Sequence, residues 1–146
     1  MRFPSREWCE AAATAMTRDP AVISAIADFG AVVAGLVVER GSGLARDFCL
    51  LARIEPGKPP SLSYPEDEDE LEALEPDYIA WASHSLCKQL LRATQRGERP
   101  DPLRAILDRK VRLKGDLERL VKHAGRHQGA GLEAVRGLPS EFLEES

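Results

Sequence analysis

The segment GERPDPLRAILDRKVRLKGDLERLVKH, residues 97–123, holds three closely spaced structural signals. Asp101 followed by Pro102 is typical of a helix start, because aspartate caps the first turn and proline fits the first helical position. Apolar and basic residues then alternate over residues 110–114, which predicts a strand with one wet face. Gly115 and Asp116 precede a helix with apolar residues at i, i+3, i+4 and i+7. The segment therefore predicts a helix, a strand and a second helix.

The residues before this segment supply the other strands. AVVAGLVVE (31–39) and LARDFCLLARI (44–54) are rich in β-branched and apolar residues, and the glycines of RGSG between them suit a hairpin turn. SLSY (61–64) and the end of PDYIAWAS (76–83) predict a third and a fourth strand. We expect a five-stranded, mostly antiparallel sheet whose strands follow one another in sequence.

Helices flank these strands. Ser5 is placed to cap a helix that runs to about Thr17, and Asp19 with Pro20 repeats the signal of a helix start. Ser83 is placed to cap a helix over residues 84–96. The element order predicts an α+β domain with the helices packed on one face of the sheet.

Composition limits the class of protein. The chain has 146 residues, of which 43% are apolar and 30% charged, and its formal net charge is −4. These values fit one compact domain over residues 1–146, and they exclude a disordered chain and a strongly basic nucleic-acid-binding tail. A folded domain with a single core is expected.

Cysteine usage and hydropathy indicate the compartment. The three cysteines are Cys9, Cys49 and Cys87, which are odd in number and widely spaced, so neither a disulfide framework nor a CxxC site is predicted. The first residues carry charges where an export signal needs an unbroken apolar run. Asp28 interrupts the apolar segment 20–38, whose runs are shorter than the ~18 residues of a membrane span. We expect a cytoplasmic protein.

An acidic window, PEDEDELEALEPD (65–77), contains eight carboxylates. Such a run is typical of a solvated loop or a frayed helix. It has no glycine at the turn position of a calcium-binding loop, so no calcium site is predicted.

Signatures of catalysis, metal binding and nucleotide binding are weak. Ser83 next to His84 does not form a nucleophile elbow, and Cys87 falls among the apolar positions of its helix. His123 and His127 are four residues apart, but the segment between them lacks the glutamate of a zinc helix and no third ligand is evident. No glycine-rich phosphate loop occurs. We therefore expect no enzyme activity, no metal and no cofactor.

The carboxyl half is locally basic. Between His84 and His127 there are twelve Lys and Arg residues against five Asp and Glu residues. Lys88, Arg92 and Arg96 recur every four residues, so they share one helix face where an anionic headgroup, a phosphate or a nucleic acid can dock. Ordinary solvation of a polar face is the simpler explanation of the pattern, because basic helix faces are common. Nucleic acid is the least favoured partner, because no aromatic residue interrupts the basic run.

The segment over residues 97–123 resembles the carboxyl half of the sterol carrier protein 2 family, in its bacterial stand-alone form. In that family an acidic residue and a proline begin a short helix, a basic strand follows, and a Gly-Asp pair begins the next helix. Here these are Asp101-Pro102, residues 110–114 and Gly115-Asp116. The early Trp8 and the strand of PDYIAWAS are also similar to that family. Arg109 stands where members often have glycine, and the acidic window is a further departure.

The resemblance implies a five-stranded sheet with helices on one face and an apolar cavity between them. It implies non-enzymatic binding or carriage of a fatty acid, an acyl-CoA or a sterol-like or prenyl lipid in that cavity. On this reading the cavity is lined by apolar residues of the later elements, with the last two as a lid: Trp81, Leu86, Leu90, Leu91, Ile106, Leu107, Leu120, Val121, Leu138 and Phe142. Lys88 and Arg92 are the candidates for contact with a lipid headgroup or CoA phosphate.

Two other readings remain open. The same fold can hold a prenyl-tailed intermediate or a protein partner on behalf of a separate enzyme, and an enzyme in its own right is the least favoured class. Transient contact with an anionic membrane is a further expectation, as is a monomer or a weak dimer.

Overall fold

The computed structural model describes residues 1–124, 127 and 129–143. The described residues form seven helices, five longer strands and two strands of two residues each, one near either end of the described chain. In chain order the elements are β1 (Arg2–Phe3), α1 (Arg6–Thr17), α2 (Pro20–Phe29), β2 (Val32–Glu39), β3 (Phe48–Ile54), β4 (Ser61–Ser63), α3 (Glu68–Ala73), β5 (Tyr78–Ser83), α4 (His84–Gln95), α5 (Pro102–Leu107), β6 (Val111–Lys114), α6 (Leu117–Ala124), α7 (Ala130–Ala134) and β7 (Glu141–Phe142).

The predicted α+β fold with a five-stranded sheet is confirmed, but the strands do not follow one another across it. The order is β4-β3-β2-β5-β6. Three of the pairings are antiparallel, and the central pairing of β2 with β5 is parallel. The sheet is therefore mixed. The chain can place β5 beside β2 because the segment after β4 crosses the sheet, and a parallel pair needs such a crossover.

Local capping signals predicted the helix starts correctly. The Ser5 hydroxyl accepts a hydrogen bond from the Trp8 backbone N–H at 3.1 Å, and Ser83 accepts one from Leu86 at 3.0 Å. Asp19 and Asp101 each cap a helix that begins with proline. These bonds satisfy backbone donors that the first turn of a helix leaves without partners.

The acidic window forms a helix of its own. Asp67 caps α3, whose charged residues are mostly exposed while Leu71 is fully buried. Leu71 packs with side chains from the sheet face opposite the other helices: Val37, Cys49, Leu51, Ile79 and Trp81. The prediction that helices pack on one face therefore omits α3, which covers part of the other face.

The two terminal strands pair with each other, which the sequence did not predict. Arg2–Phe3 and Glu141–Phe142 form a short parallel ladder, and the Glu141 N–H donates to the Met1 carbonyl at 2.7 Å. The Trp8 indole N–H donates to the Ser140 hydroxyl at 2.7 Å. These contacts tie the last described residues to the first helix.

Over the residues that the structure describes, no helix is both long enough and apolar enough to cross a bilayer.

Candidate functional site

Small side chains lie at the centre of the sheet on its helix-covered face. Ala34 of β2 pairs with Tyr78 of β5, and the next inward-facing pair joins Leu36 to Ala80. Ala34 and Ala80 project little from the sheet, since alanine ends at Cβ. Helices spaced by their larger residues consequently do not fill the volume above these two positions.

This unfilled volume is a cavity of about 400 Å³. Its floor comes from the sheet and its cover from α2, α5 and α6, and its lining is largely apolar: Ala25, Ile26, Phe29, Gly30, Val32, Ala34, Gly35, Ile54, Tyr78, Ala80, Ile106, Leu113, Leu120, His123 and His127. The volume falls within the range of about 300–1,000 Å³ that is usual for small-molecule sites. We call it the sheet cavity.

A second cavity of about 390 Å³ lies among the helices. Side chains from α1, α4, α5, α6 and α7 surround it: Trp8, Met16, Leu91, Asp101, Pro102, Leu103, Ile106, Leu120, His127, Gly129, Ala130, Gly131, Leu132 and Val135. We call it the helix cavity. Ile106, Leu120 and His127 border both cavities, so the two spaces adjoin.

The polar side of the sheet cavity is formed by two histidines. His123 Nδ1 lies 3.2 Å and His127 Nε2 lies 3.4 Å from the same Asp28 carboxylate oxygen. Arg119 donates to the Phe29 carbonyl at 2.7 Å, and its guanidinium lies 4.3 Å from the centre of the Phe29 ring. These contacts join α2 to α6 and the segment after it at the edge of the apolar lining.

Asp28 therefore contacts both of the histidines whose spacing gave a weak signal for a metal site in the sequence. In the part of the chain that the structure describes, no three His, Cys, Asp or Glu side chains are placed to hold a metal ion.

Three of the sequence-predicted lining residues border the cavities. Ile106 and Leu120 line both, and Leu91 lines the helix cavity. They come from α5, α6 and α4, so the structure brings together residues that are separated by up to 29 positions in the sequence. Whether these side chains contact a ligand stays a prediction.

Three other predicted lining residues lie away from the cavities. Trp81 is buried on the opposite face of the sheet, where the Arg112 guanidinium lies 4.3 Å from the centre of its ring. Leu107 and Val121 point to solvent, with exposed fractions of 54% and 39%. The reason for Trp81 is the alternation of a strand, which places Ala80 above the sheet and Trp81 below it.

The remaining four predicted residues also line neither cavity. Leu86 and Leu90 are half-buried on α4. Leu138 and Phe142 pack against the core cluster that contains Phe3, Trp8 and Val38, so their position is that of core residues near the paired termini. The structure places no lid at either residue.

Lys88 and Arg92, the predicted headgroup contacts, do not share an open basic face. Lys88 is only 3% exposed, and its Nζ donates to the Ser42 carbonyl at 2.8 Å, the Ser42 hydroxyl at 2.6 Å and the Leu143 carbonyl at 2.7 Å. The Arg92 guanidinium lies 4.9 Å from the centre of the Phe142 ring. Headgroup contact stays a prediction, and Lys88 would have to leave these acceptors to take part.

Sequence reasoning missed the floor and most of the α2 cover of the sheet cavity. The sequence did not identify Ala34 and Ala80 as cavity residues, because small residues in a strand normally indicate only tight packing. Ile26 and Phe29 fall in the helix that Asp19 and Pro20 predict, but the sequence does not show what this helix packs against. A signal was available in the alanines of AVVAGLVVE and YIAWAS, which fall on one face once β2 and β5 are paired in register.

The cysteines are unsuited to nucleophilic chemistry. Burial raises the pKa of the Cys9 thiol to about 12, and the neighbouring Glu10 charge adds to the effect. Burial likewise raises the pKa of Cys49 and Cys87 to about 11. Because the thiolate is the reactive form, these thiols stay protonated and inert near neutral pH.

His84 is fully buried and holds a turn. Its Nδ1 lies 3.0 Å from the Gly41 carbonyl, and its ring stacks on Phe3 with 6.2 Å between centroids. The adjacent Ser83 hydroxyl is occupied as a helix cap. The serine and the histidine thus do structural work on either side of the start of α4.

The fold and the cavities together define an α+β domain in which a mixed sheet and its helices enclose apolar space. Two solved structures share this architecture. A conserved hypothetical protein from Thermus thermophilus, described as possibly a sterol carrier protein, superposes with a TM-score of 0.67 at 14% identity, covering 94% of this chain and 90% of the other. A crystal structure of sterol carrier protein 2 gives 0.62 at 15% identity, covering 92% of this chain and 98% of the other.

The chain therefore has the sterol carrier protein 2-like fold, as the resemblance of residues 97–123 implied. No protein-family model and no curated protein matches the sequence.

Proposed function

We propose that this protein binds and carries a hydrophobic ligand without catalysing a reaction on it. The observation that carries the proposal is the pair of adjoining apolar cavities, each close to 400 Å³, between the sheet and the helices. Pockets of this volume with a largely apolar lining are typical of sites that bind small molecules. The sterol carrier protein 2-like fold of the two structural neighbours supports the same conclusion.

The ligand class that we favour is a lipid with a single long apolar chain, such as a fatty acid or an acyl-CoA. The two cavities adjoin at shared lining residues, and a flexible chain adapts to two adjoining spaces better than a rigid ring system does. Each buried CH₂ group of such a chain contributes about 0.8 kcal/mol, so apolar burial alone supplies useful affinity. A sterol or a prenyl lipid is the alternative within the same class.

The lining also supports binding over catalysis. Its polar members in the sheet cavity are Tyr78, His123 and His127: the Tyr78 hydroxyl donates to the Asp116 carbonyl at 2.8 Å, and each histidine contacts Asp28 through one ring nitrogen. A histidine held by an aspartate is oriented as a general base is, but the described lining of this cavity has no Ser, Thr, Cys or Lys side chain that such a base would activate as a nucleophile.

The direct test is native mass spectrometry of freshly purified protein, followed by titration with a fluorescent fatty acid. A co-purifying acyl or prenyl mass, or saturable binding that oleate displaces, is the expected result. An apo mass together with no binding of the fluorescent fatty acid would reject the proposal. Retained ligand of sterol mass would keep the carrier function and correct the ligand class.

A further inference from the structure

The two histidines of the sheet cavity each contact Asp28 through only one ring nitrogen. His123 does so through Nδ1 and His127 through Nε2, which leaves Nε2 of the first ring and Nδ1 of the second. Among the residues that the structure describes, these second nitrogens have no hydrogen-bond or ion-pair partner. Both side chains line the cavity and are only 21% exposed. The lining therefore contains two nitrogen atoms that a ligand can use.

The contact with Asp28 decides what these nitrogen atoms can do. A carboxylate only accepts hydrogen bonds, so the ring nitrogen that faces it carries the hydrogen. A neutral imidazole has one such hydrogen, and its other nitrogen is an acceptor. Asp28 therefore orients both rings so that His123 Nε2 and His127 Nδ1 accept hydrogen bonds.

The remaining polar side chain of the lining does not compete for this role. The Tyr78 hydroxyl gives its hydrogen to the Asp116 carbonyl at 2.8 Å, and burial raises the pKa of Tyr78, which keeps it uncharged. In the described lining of the sheet cavity, the histidine nitrogens are thus the side-chain acceptors whose partner is still to be supplied.

The charged groups near the histidines cancel. Helices α2 and α6 hold two acids and two bases: Asp28, Glu118, Arg119 and Lys122. Arg104 of α5 pairs with Asp108. The basic residues of β6, Arg112 and Lys114, belong to the other face of the sheet, together with Trp81. An ionic head group consequently finds no excess of opposite charge at this end of the cavity, whereas an uncharged hydrogen-bond donor finds acceptors.

We propose that the lipid held in the sheet cavity ends in a hydroxyl donor, and that this O–H group donates a hydrogen bond to His123 Nε2 or His127 Nδ1. The inference rests on the proposed function, because it names the head group of the ligand. Lipid alcohols and free fatty acids have such an O–H group. The thioester group of an acyl-CoA does not.

A free fatty acid meets this requirement when it enters the cavity together with a proton. Its carboxyl group then donates O–H to the imidazole nitrogen. If the proton moves to the nitrogen, the carboxylate accepts from the imidazolium instead. The two forms contain the same atoms and the same total charge, so the balanced surroundings suit both. A lipid alcohol needs no added proton.

The test compares ligands that share a decyl chain and differ in the head group. We expect calorimetric titration to show that decanol binds about tenfold more tightly than decyl methyl ether, because the ether leaves a partly buried acceptor without a donor. Decanoate should likewise exceed methyl decanoate. Titrations in two buffers of different ionisation enthalpy should show that decanoate takes up about one proton and decanol none.

Each pair of ligands assigns one source of the O–H group. A preference for decanol over its ether supports a lipid alcohol, and a preference for decanoate over its ester with proton uptake supports a fatty acid. Equal affinity within both pairs overturns the proposal. A preference for decanoate without proton uptake also overturns it, because the nitrogens would then be donors.

Replacing the histidines with phenylalanine keeps a ring and removes the nitrogens. The double variant His123→Phe/His127→Phe should bind decanol and its ether equally, and the single variants should show which ring accepts the hydroxyl. Lys122→Met is the matched control, because Lys122 is exposed on α6 and lines neither cavity. It should keep the preference of the unaltered protein. An unchanged preference in the double variant, or in both single variants if the double variant does not fold, overturns the proposal.

Titration with the fluorescent fatty acid separates this inference from the proposed function. Saturable binding of the fluorescent fatty acid, without any preference for donor head groups, would overturn the inference and leave the carrier function in place. No binding of the fluorescent fatty acid or of any decyl ligand would overturn both.

Discussion

Leu71 of α3 lies directly against the backbone of Gly35 in β2. A Cβ added at Gly35 would be 3.0 Å from Leu71 Cδ1 and 3.2 Å from Cδ2, closer than side chains normally approach. Leu71 is fully buried and comes from the acidic window, so this contact fixes α3 on the sheet. The glycine makes room for Leu71, the buried side chain of a helix in which the other positions are Ala73, exposed carboxylates and one half-buried carboxylate.

We expect Gly35→Ala to lower the free energy of unfolding by about 1–3 kcal/mol, because Leu71 must shift within a closely packed interior. Urea unfolding followed by tryptophan fluorescence measures the change. Gly137→Ala is the control, since no atom lies within 4 Å of the Cβ that it adds. Unfolding of both variants at the same urea concentration would show that the contact has no energetic weight.

Ala80→Phe should fill much of the sheet cavity. Ala80 forms part of the cavity floor, and the new ring would point into the space that we assign to the lipid. We expect at least about tenfold weaker binding of a fluorescent fatty acid, with a melting temperature that does not fall, because the ring enters a void. Ala73→Phe makes the same chemical change at an exposed position of α3 and should leave binding unchanged. Normal binding by folded Ala80→Phe would place the ligand elsewhere.

Lys88→Met should destabilise the protein by about 2–3 kcal/mol, because hydrogen bonds from a buried ammonium to Ser42 and Leu143 are lost. Chemical denaturation gives the value. Arg96→Met, at a position whose side chain is 63% exposed, should stay within about 0.5 kcal/mol of the unaltered protein. A stable Lys88→Met variant that no longer binds fatty acid would instead restore this lysine as a headgroup contact.

The buried thiol of Cys9 makes stability depend on alkaline pH. Its pKa is about 12 in the folded protein against 9.0 for the free group, so the unfolded chain loses this proton first. The stabilisation is complete below pH 9.0 and is lost as pH rises from there towards 12. We expect the free energy of unfolding to fall more steeply between about pH 8 and pH 10.5 for the unaltered protein than for Cys9→Ala. Parallel pH dependences for the two proteins would contradict this account.

Local chemistry made most of the fold predictable. Ser5, Asp19, Ser83 and Asp101 cap their helices through side-chain contacts with residues two or three positions away, so the sequence alone contains the information. The order of the strands was harder. The parallel pairing of β2 with β5 joins residues 44 positions apart, such as Ala34 and Tyr78, and no local pattern distinguishes it from a continued antiparallel meander.

The candidate site likewise divides into residues that the sequence predicts and residues whose position depends on long-range contacts. The family resemblance led to the prediction that Leu91, Ile106 and Leu120 line a cavity, and the structure places these three residues at the cavities. Trp81 lies on the other face of the sheet, because the face of a strand residue depends on its neighbours and Leu71 of α3 is an apolar partner on that side. Lys88 is spaced like a surface residue, but it is buried against the carbonyl oxygens of Ser42 and Leu143, which are distant in the sequence.

Ile106, Leu120 and His127 line both the sheet cavity and the helix cavity. The two cavities are consequently not independent, because a ligand in one that moves the shared side chains alters the shape of the other. If one short-chain ligand enters each cavity, the first should alter the affinity for the second, whereas a chain that spans both cavities should bind with simple one-to-one stoichiometry. The stoichiometry of binding would thus depend on the length of the ligand.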